Sequence, residues 1–311
     1  MSVYTQVTQK QLLHFLAGYD LGELIDYQGI LAGIENTNFF VDTSQGRFVL
    51  TLFEQHKPRE LPYFLQFMAY LAEHDIPSAH PIADQQGHYL SHLNGKPAAL
   101  VQRLKGKDVK QPNVAQCCSL AHYLAKIHQI SPDFSGFRSN DRGADWWYKT
   151  AQRVMPRLGT DEKRLLSHEL DYQSKQQFSN LTVGVIHADL FRDNALFEGD
   201  ELRGIIDFYC ACNDYLLYDV AVTVNDWCVT PAGQMDETRL YAFLDIYQQI
   251  HPFDGDEKQA WPQLLRAAAL RFWLSRLQDF HFPRDGELTQ TKEPKVFQNI
   301  LSHHITQPQV L

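Results

Sequence analysis

The sequence predicts an α+β fold of two lobes: a small antiparallel β-rich N-terminal lobe with one helix, then a larger and mainly helical C-terminal lobe. Three observations carry this expectation. Up to Leu104, short β-rich runs surround a single helical stretch, and beyond it apolar residues recur at helical spacing in one segment after another. Inside the helical part sits one short strand-loop-strand insert, at 183–207. The expected division is 1–104 and 105–311.

Asn38-Phe-Phe-Val41 and Arg47-Phe-Val-Leu-Thr-Leu-Phe53 are β-rich runs, and Asp42-Thr-Ser-Gln-Gly46 between them suits a hairpin turn. Leu61, Phe64, Leu65, Met68 and Leu71 recur at helical spacing and predict a helix over 59–73. Two more strands are expected at 88–93 and 98–104, joined by Asn94-Gly95, a strong turn signal. In the second part, 114–130 places Cys117, Leu120, Ala121, Leu124 and Ile127 on one face. Segments 216–227, 240–250 and 263–280 read as helices in the same way. The insert reads as strands at 183–186, 195–197 and 203–207. No internal repeat or low-complexity tract interrupts this order.

The composition, 44% apolar and 21% charged, is that of an ordinary globular protein. A net charge of −9, from 28 basic and 37 acidic residues, argues against nucleic acid as the main partner, which would need a basic face. The five cysteines form no C-x-x-C pair and have apolar neighbours, as buried thiols of a reducing compartment do. The N-terminus lacks the layout of a signal peptide, and no stretch approaches the roughly 20 apolar residues of a membrane span. A cytoplasmic protein with no membrane partner is expected.

The chemistry concentrates in His187-Ala-Asp-Leu-Phe-Arg-Asp-Asn194. Phosphoryl transfer needs a carboxylate to take the proton of the attacking hydroxyl, oxygen ligands for magnesium, and a cradle for phosphates. Asp189 and Asn194 stand five apart, and an apolar run ends in Asp207-Phe about a dozen residues on. This pattern predicts Asp189 as base, with Asn194 and Asp207 holding Mg2+ on the phosphates of ATP. His187 reads as a brace for the loop and Asp193 as a turn residue. Arg192 is a candidate to steady the transferring group. Asp219 reads as a cap or brace of the helix that follows it.

These residues resemble the aminoglycoside phosphotransferase and choline kinase superfamily, with its two-lobed protein-kinase-like fold. The runs Gly33-Ile-Glu-Asn-Thr-Asn-Phe-Phe-Val41, Ile206-Asp-Phe-Tyr-Cys-Ala-Cys-Asn-Asp214, Asn225-Asp-Trp-Cys228 and Leu270-Arg-Phe-Trp-Leu-Ser-Arg276 look like its homoserine kinases. The resemblance covers nearly the whole chain and implies phosphorylation of L-homoserine by ATP, a step in threonine biosynthesis. Residues alone reach only a kinase acting on a hydroxyl; choline, ethanolamine or a sugar is the alternative acceptor, and a nucleotide-binding pseudokinase the alternative class.

Two departures from the superfamily pattern stand out. Ala188 replaces the glycine of His-Gly-Asp, a costly exchange if that position needs a positive φ. Thr51 stands where kinases carry the strand lysine, leaving Glu60 without its usual partner, so that Lys57 or Arg59 would have to compensate. No G-x-G-x-x-G occurs, and Gly33, Asn36, Thr37 and Asn38 take its place as the expected phosphate turn. Adenine is expected against the backbone near Gln102 and Leu104. For the acceptor, Arg271 and Arg276 are candidates for a carboxylate, with Asp279 sharing the Arg276 face. Asn213, Asp214 and Tyr209 are candidates to reach the same cleft.

Overall fold

The computed structural model describes residues 5–30, 36–283 and 292–311. The chain divides into two compact units. One takes the chain up to Gly106 together with Arg203–Tyr209; the other takes Lys107–Leu202 and most of the chain from Cys210 onward.

The first unit is built on an antiparallel sheet of β1 (Leu24–Ile30), β2 (Thr37–Thr43), β3 (Gly46–Leu52), β4 (Ser91–Leu93) and β5 (Lys96–Gln102), ordered β1-β2-β3-β5-β4. Alternation explains its core: every second residue of β2 is buried, and Phe39 and Val41 pack with Phe48, Leu50, Leu52, Ala98 and Leu100. Helix α1 (Gln9–Leu16) adds Leu12, Phe15 and Leu16 to that cluster. Helix α2 (Leu61–Glu73) starts two residues later than its apolar pattern predicts. Asn94 and Gly95 both have positive φ, 51° and 75°, as a two-residue hairpin turn demands. Strand β4 is shorter than the expected 88–93, because His88 turns back onto Asp84 through reciprocal backbone and side-chain bonds. The sequence reading misses α1 and β1. The first is eight residues long, and the second is an edge strand whose burial does not alternate.

The second unit holds α3 (Val114–Ile130), α4 (Ala144–Val154), α5 (Thr160–Ser174), β6 (Val183–Ile186), β7 (Ala195–Glu198), β8 (Glu201–Ile205), β9 (Cys212–Tyr215), α6 (Leu216–Trp227), α7 (Glu237–Gln248), α8 (Gly255–His281) and α9 (Pro294–Thr306). Strand β8 begins in this unit and ends in the first. Strand β6 pairs with β9, which was not expected, and α6 packs on α8, which packs on α9. Helix α8 starts well before the expected 263: Asp254 caps it with Glu257 in a reciprocal box, and Pro262 lies inside it. Every residue of α6 is buried, Asp219, Asn225 and Asp226 included. Acids buried in an apolar helix require partners, and those partners lie in the loop after β6. Among the described residues no helix is long and apolar enough to cross a membrane.

One buried histidine sets an acid limit on this unit. His304 of α9 donates from Nε2 to Asn225 Oδ1 at 2.7 Å, and burial pushes its pKa down to about 3. The unfolded chain takes the proton near 6.5 and the folded chain does not, so stability is complete above that value and is lost as pH falls from 6.5 towards 3. A loss of about 2 kcal/mol by pH 5 is expected. Thermal unfolding of the wild type and His304→Gln between pH 7 and 5 checks this; equal slopes for both proteins would show that His304 is not the group responsible.

Candidate active site

Strand β6 delivers the chain to a loop gripped from below by one carboxylate. Asp219, in the first turn of α6, accepts the His187 N–H and the Ala188 N–H, both at 2.8 Å. His128 of α3 meets the same carboxylate at 3.2 Å through Nε2, and its Nδ1 lies 2.7 Å from the Tyr247 hydroxyl. Burial drives His128 towards its neutral form, so Nε2 carries the proton and Nδ1 accepts from Tyr247. Burial alone would raise the pKa of Asp219, but the bonds from His128 and the His187 N–H outweigh it and hold the carboxyl below its usual value.

Two adjacent N–H groups bound to one carboxylate force a sharp bend. Ala188 adopts φ 63°, in the left-handed region where a Cβ is costly. The strain that the missing glycine threatens is therefore present, and Asp219 holds it in place. The Asp189 N–H donates to His187 Nδ1 at 3.3 Å, so His187 braces the loop. The Asp189 carbonyl accepts from the Phe191 N–H and from Asn194 Nδ2, each at 2.8 Å. Trp227 Nε1 donates to the Leu190 carbonyl at 3.0 Å. The half-buried Asp189 carboxylate thus projects from a backbone pinned on both sides.

Arg192 does not fit its expected role. Its Nε and Nη2 bind Asp226 at 3.0 and 3.1 Å, its N–H binds the same carboxylate, and Nη1 donates to the Lys110 carbonyl at 2.7 Å. Three of its five donors are thus spent on bracing the loop. Asp193 pairs with Lys292 at 2.7 Å. Asn194 is buried, and because its nitrogen is spent on Asp189, Oδ1 is the atom left to meet a cation. Asp207 is exposed at φ 64° in the first unit, after β8. Phe208 beside it packs on Phe67, and Tyr209 packs among Phe53, Phe64 and His56. Tyr209, a candidate to reach the acceptor cleft, belongs by its contacts to this first unit. Among the described residues no group of three or more His, Cys, Asp or Glu side chains gathers for a metal. The Asn194 amide oxygen in the second unit and the Asp207 carboxylate in the first are each hard oxygen donors of the kind that Mg2+ prefers.

The expected nucleotide residues divide sharply. Gly33 lies outside the described residues. Thr51 and Asn38 are register partners across β2 and β3, and Thr51 Oγ1 donates to Asn38 Oδ1 at 2.8 Å. Thr51 is buried and its proton is spent inside the sheet, so it does not stand in for a lysine. Thr37 donates to Glu54, which also pairs with Lys96 at 3.1 Å. Lys57 and Arg59 are exposed and make no ion pair with Glu60. Asn36 is buried, and its Oδ1 has no hydrogen-bond partner among the described residues. Past β5, the Gln102 and Arg103 N–H groups are consumed by the His80 and Arg47 carbonyls, whereas the Leu104 N–H makes no such bond among the described residues.

On the acceptor side, Asn213 Oδ1 accepts from the Arg138 N–H, and both oxygens of Asp214 are met, by Asn140 Nδ2 and by the Tyr215 N–H. These two residues tie β9 to 138–140, which speaks against the substrate contacts expected of them. Arg276 donates to the Glu293 carbonyl at 3.1 Å. Burial lowers its pKa to about 10 against the opposing pull of Asp226, Asp193 and Asp189. Arg271 is 7% exposed and lies against the Phe272 ring. The residue that the sequence reading undervalues is Asp219, whose signal is an acid in an otherwise apolar helix.

Residues 26–253 match the phosphotransferase enzyme family. The homoserine kinase of Methylobacillus flagellatus is 50% identical over 98% of this chain and 96% of its own length. That of Methylobacillus glycogenes is 48% identical over 97% and 95%. Among solved structures, amicoumacin kinase hAmiN, in complex with AMP-PNP, Ca2+ and Ami, superposes with a TM-score of 0.72 at 15% identity, covering 97% of this chain and 95% of that one. That likeness speaks for the two-lobed, protein-kinase-like fold, and the near full-length relatives speak for the branch. This chain therefore belongs to the phosphotransferase enzyme family, on its homoserine kinase branch.

Proposed function

We propose that this protein transfers the γ-phosphoryl group of ATP to the side-chain hydroxyl of L-homoserine, the step its relatives' name assigns to threonine biosynthesis. The observation that carries the reading is the loop of Asp189, held in a strained bend by a buried acid and presenting one carboxylate. Asp189 accepts hydrogen-bonded alignment of the hydroxyl and takes its proton as the oxygen attacks phosphorus. Asn194 and Asp207 are the oxygen ligands assigned to Mg2+, which when bound neutralises charge on the phosphates. Residues 1–104 are assigned to the nucleotide and 105–311 to the base and the acceptor. The unspent Leu104 N–H is the donor assigned to the adenine edge, and the turn around Gly33 and Asn36 is assigned to the phosphates.

The test is a steady-state phosphorylation assay with purified protein, ATP and Mg2+ across L-homoserine, choline, ethanolamine and a hexose. Homoserine is expected to give the highest kcat/KM by at least about 100-fold. Homoserine turning over no better than choline would sink the reading.

A further inference from the structure

We infer that Arg271, together with the Tyr218 hydroxyl, receives the carboxylate of the acceptor and so makes the protein select an amino acid over an amino alcohol. The inference rests on the reading of homoserine as acceptor and adds to it the residues that would enforce the choice.

Arg271 is an anomaly among the buried cations. Arg266, on the same helix, binds Glu169 at 2.5 and 3.1 Å; Arg239 pairs with Asp236 and Arg192 with Asp226. Arg271, at 7% exposed, is as buried as Arg266 and more buried than the other two, yet no hydrogen bond or ion pair reaches it among the described residues. Its guanidinium lies over the Phe272 ring, 3.7 Å from the centroid. A guanidinium carries five donors, and leaving a charge buried without a counter-ion is costly. Tyr218 of α6 is 5% exposed, its hydroxyl has no hydrogen bond among the described residues, and Arg271 lies within electrostatic reach of it. Neither polar tip belongs to the fully sealed unpaired groups, such as the Trp273 indole nitrogen. Two unspent donors, on the packed helices α6 and α8, therefore both keep some contact with solvent.

Both elements lead to the base. The Phe272 ring lies 4.4 Å from Phe191, two residues after Asp189. Asp219, next to Tyr218, is the acid that grips His187 and Ala188. Arg276 is the poorer receptor: Asp226, Asp193 and Asp189 already surround it with negative charge, and a further carboxylate would meet all three. An acceptor without a carboxylate would leave Arg271 unanswered, and a site with unpaired buried donors rejects such an analogue strongly.

The probe pair is L-homoserine and 3-aminopropan-1-ol, which is homoserine without its carboxylate. In Arg271→Met the KM for homoserine is expected to rise about 10- to 100-fold, the worth of charge-assisted bonds, with kcat changed only a few-fold. Preference for homoserine over 3-aminopropan-1-ol should collapse by the same factor. Tyr218→Phe should move KM about 5-fold in the same direction. Arg271→Lys keeps a charge without the planar fork and should fall between; it and Tyr218→Phe carry the test if Arg271→Met does not fold. MgADP affinity should be unchanged in all three. An unchanged homoserine KM in Arg271→Lys and Tyr218→Phe, or equal losses for both acceptors, overturns the inference and leaves a water-solvated structural arginine. A wild-type protein that ignores homoserine but phosphorylates another alcohol overturns the parent reading instead, and this one falls with it.

Discussion

Asp189→Ala is expected to lower kcat by about 10³- to 10⁴-fold while leaving the Kd for MgADP within about 3-fold of wild type. The loop's anchors explain why the two quantities should separate. It is held through the His187 and Ala188 N–H groups on Asp219, the Phe191 N–H and Asn194 amide on the Asp189 carbonyl, and Trp227 on the Leu190 carbonyl. All of these involve backbone atoms of the 187–191 segment, so removing one carboxylate leaves them intact. Asp189→Asn, which keeps shape and loses basicity, should fall nearly as far. Asn194→Ala should behave differently, since it removes both the tie to the Asp189 carbonyl and the amide oxygen assigned to Mg2+; nucleotide affinity should then fall along with kcat. Stopped turnover at saturating ATP and homoserine, together with calorimetric MgADP titration, reads both effects. More than about a tenth of wild-type kcat surviving in Asp189→Ala would mean that another group takes the proton.

The sequence makes the fold class legible because the two periodicities occupy different halves of the chain. Helix α3 falls on the predicted 114–130, since its capping residue Asn113 directly precedes a clear apolar stripe. Helices α4, α5 and α9 escape the reading: α5 buries only Leu166, Glu169 and Leu170 and shows no continuous stripe. In the candidate site, spacing points to Asp189, Asn194 and Asp207 because loop and chemistry are local. What holds the loop is not local. Asp219 and Asp226 lie some thirty residues on, and half of the bonds they accept come from backbone N–H groups, which carry no sequence signature. One signal was available. In Leu216-Leu-Tyr-Asp-Val-Ala-Val-Thr-Val-Asn-Asp-Trp227 the acids sit in a helix apolar all round, and an acid there must be answered from elsewhere. Thr51 and Arg192 are the converse case: residue type suggests phosphate chemistry, and their partners Asn38 and Asp226 absorb the donors.

Asp219→Ala is expected to destabilise the protein by about 3–5 kcal/mol, because it strands two buried N–H groups and leaves His128 without its carboxylate. Asp219→Asn is the more informative variant. An asparagine offers one acceptor oxygen where the loop presents two donors, so one N–H is freed and the bend at Ala188 is no longer enforced. The base then shifts, and a displacement of about 1 Å is worth about 100-fold in kcat. Since the Asp219 carboxylate binds the loop backbone and His128 and none of the assigned nucleotide residues, the KM for ATP should move far less than kcat. The strain at Ala188 supplies a second readout. A left-handed alanine costs about 1–2 kcal/mol that glycine does not, so Ala188→Gly added to Asp219→Asn should recover about 5-fold of the lost kcat. In the wild-type background, where Asp219 already enforces the bend, the same glycine should change kcat less than 2-fold. That non-additivity separates a positioning acid from a merely stabilising one. If Asp219→Asn keeps wild-type kcat, or if the glycine acts equally in both backgrounds, the buried acid does not set the position of Asp189.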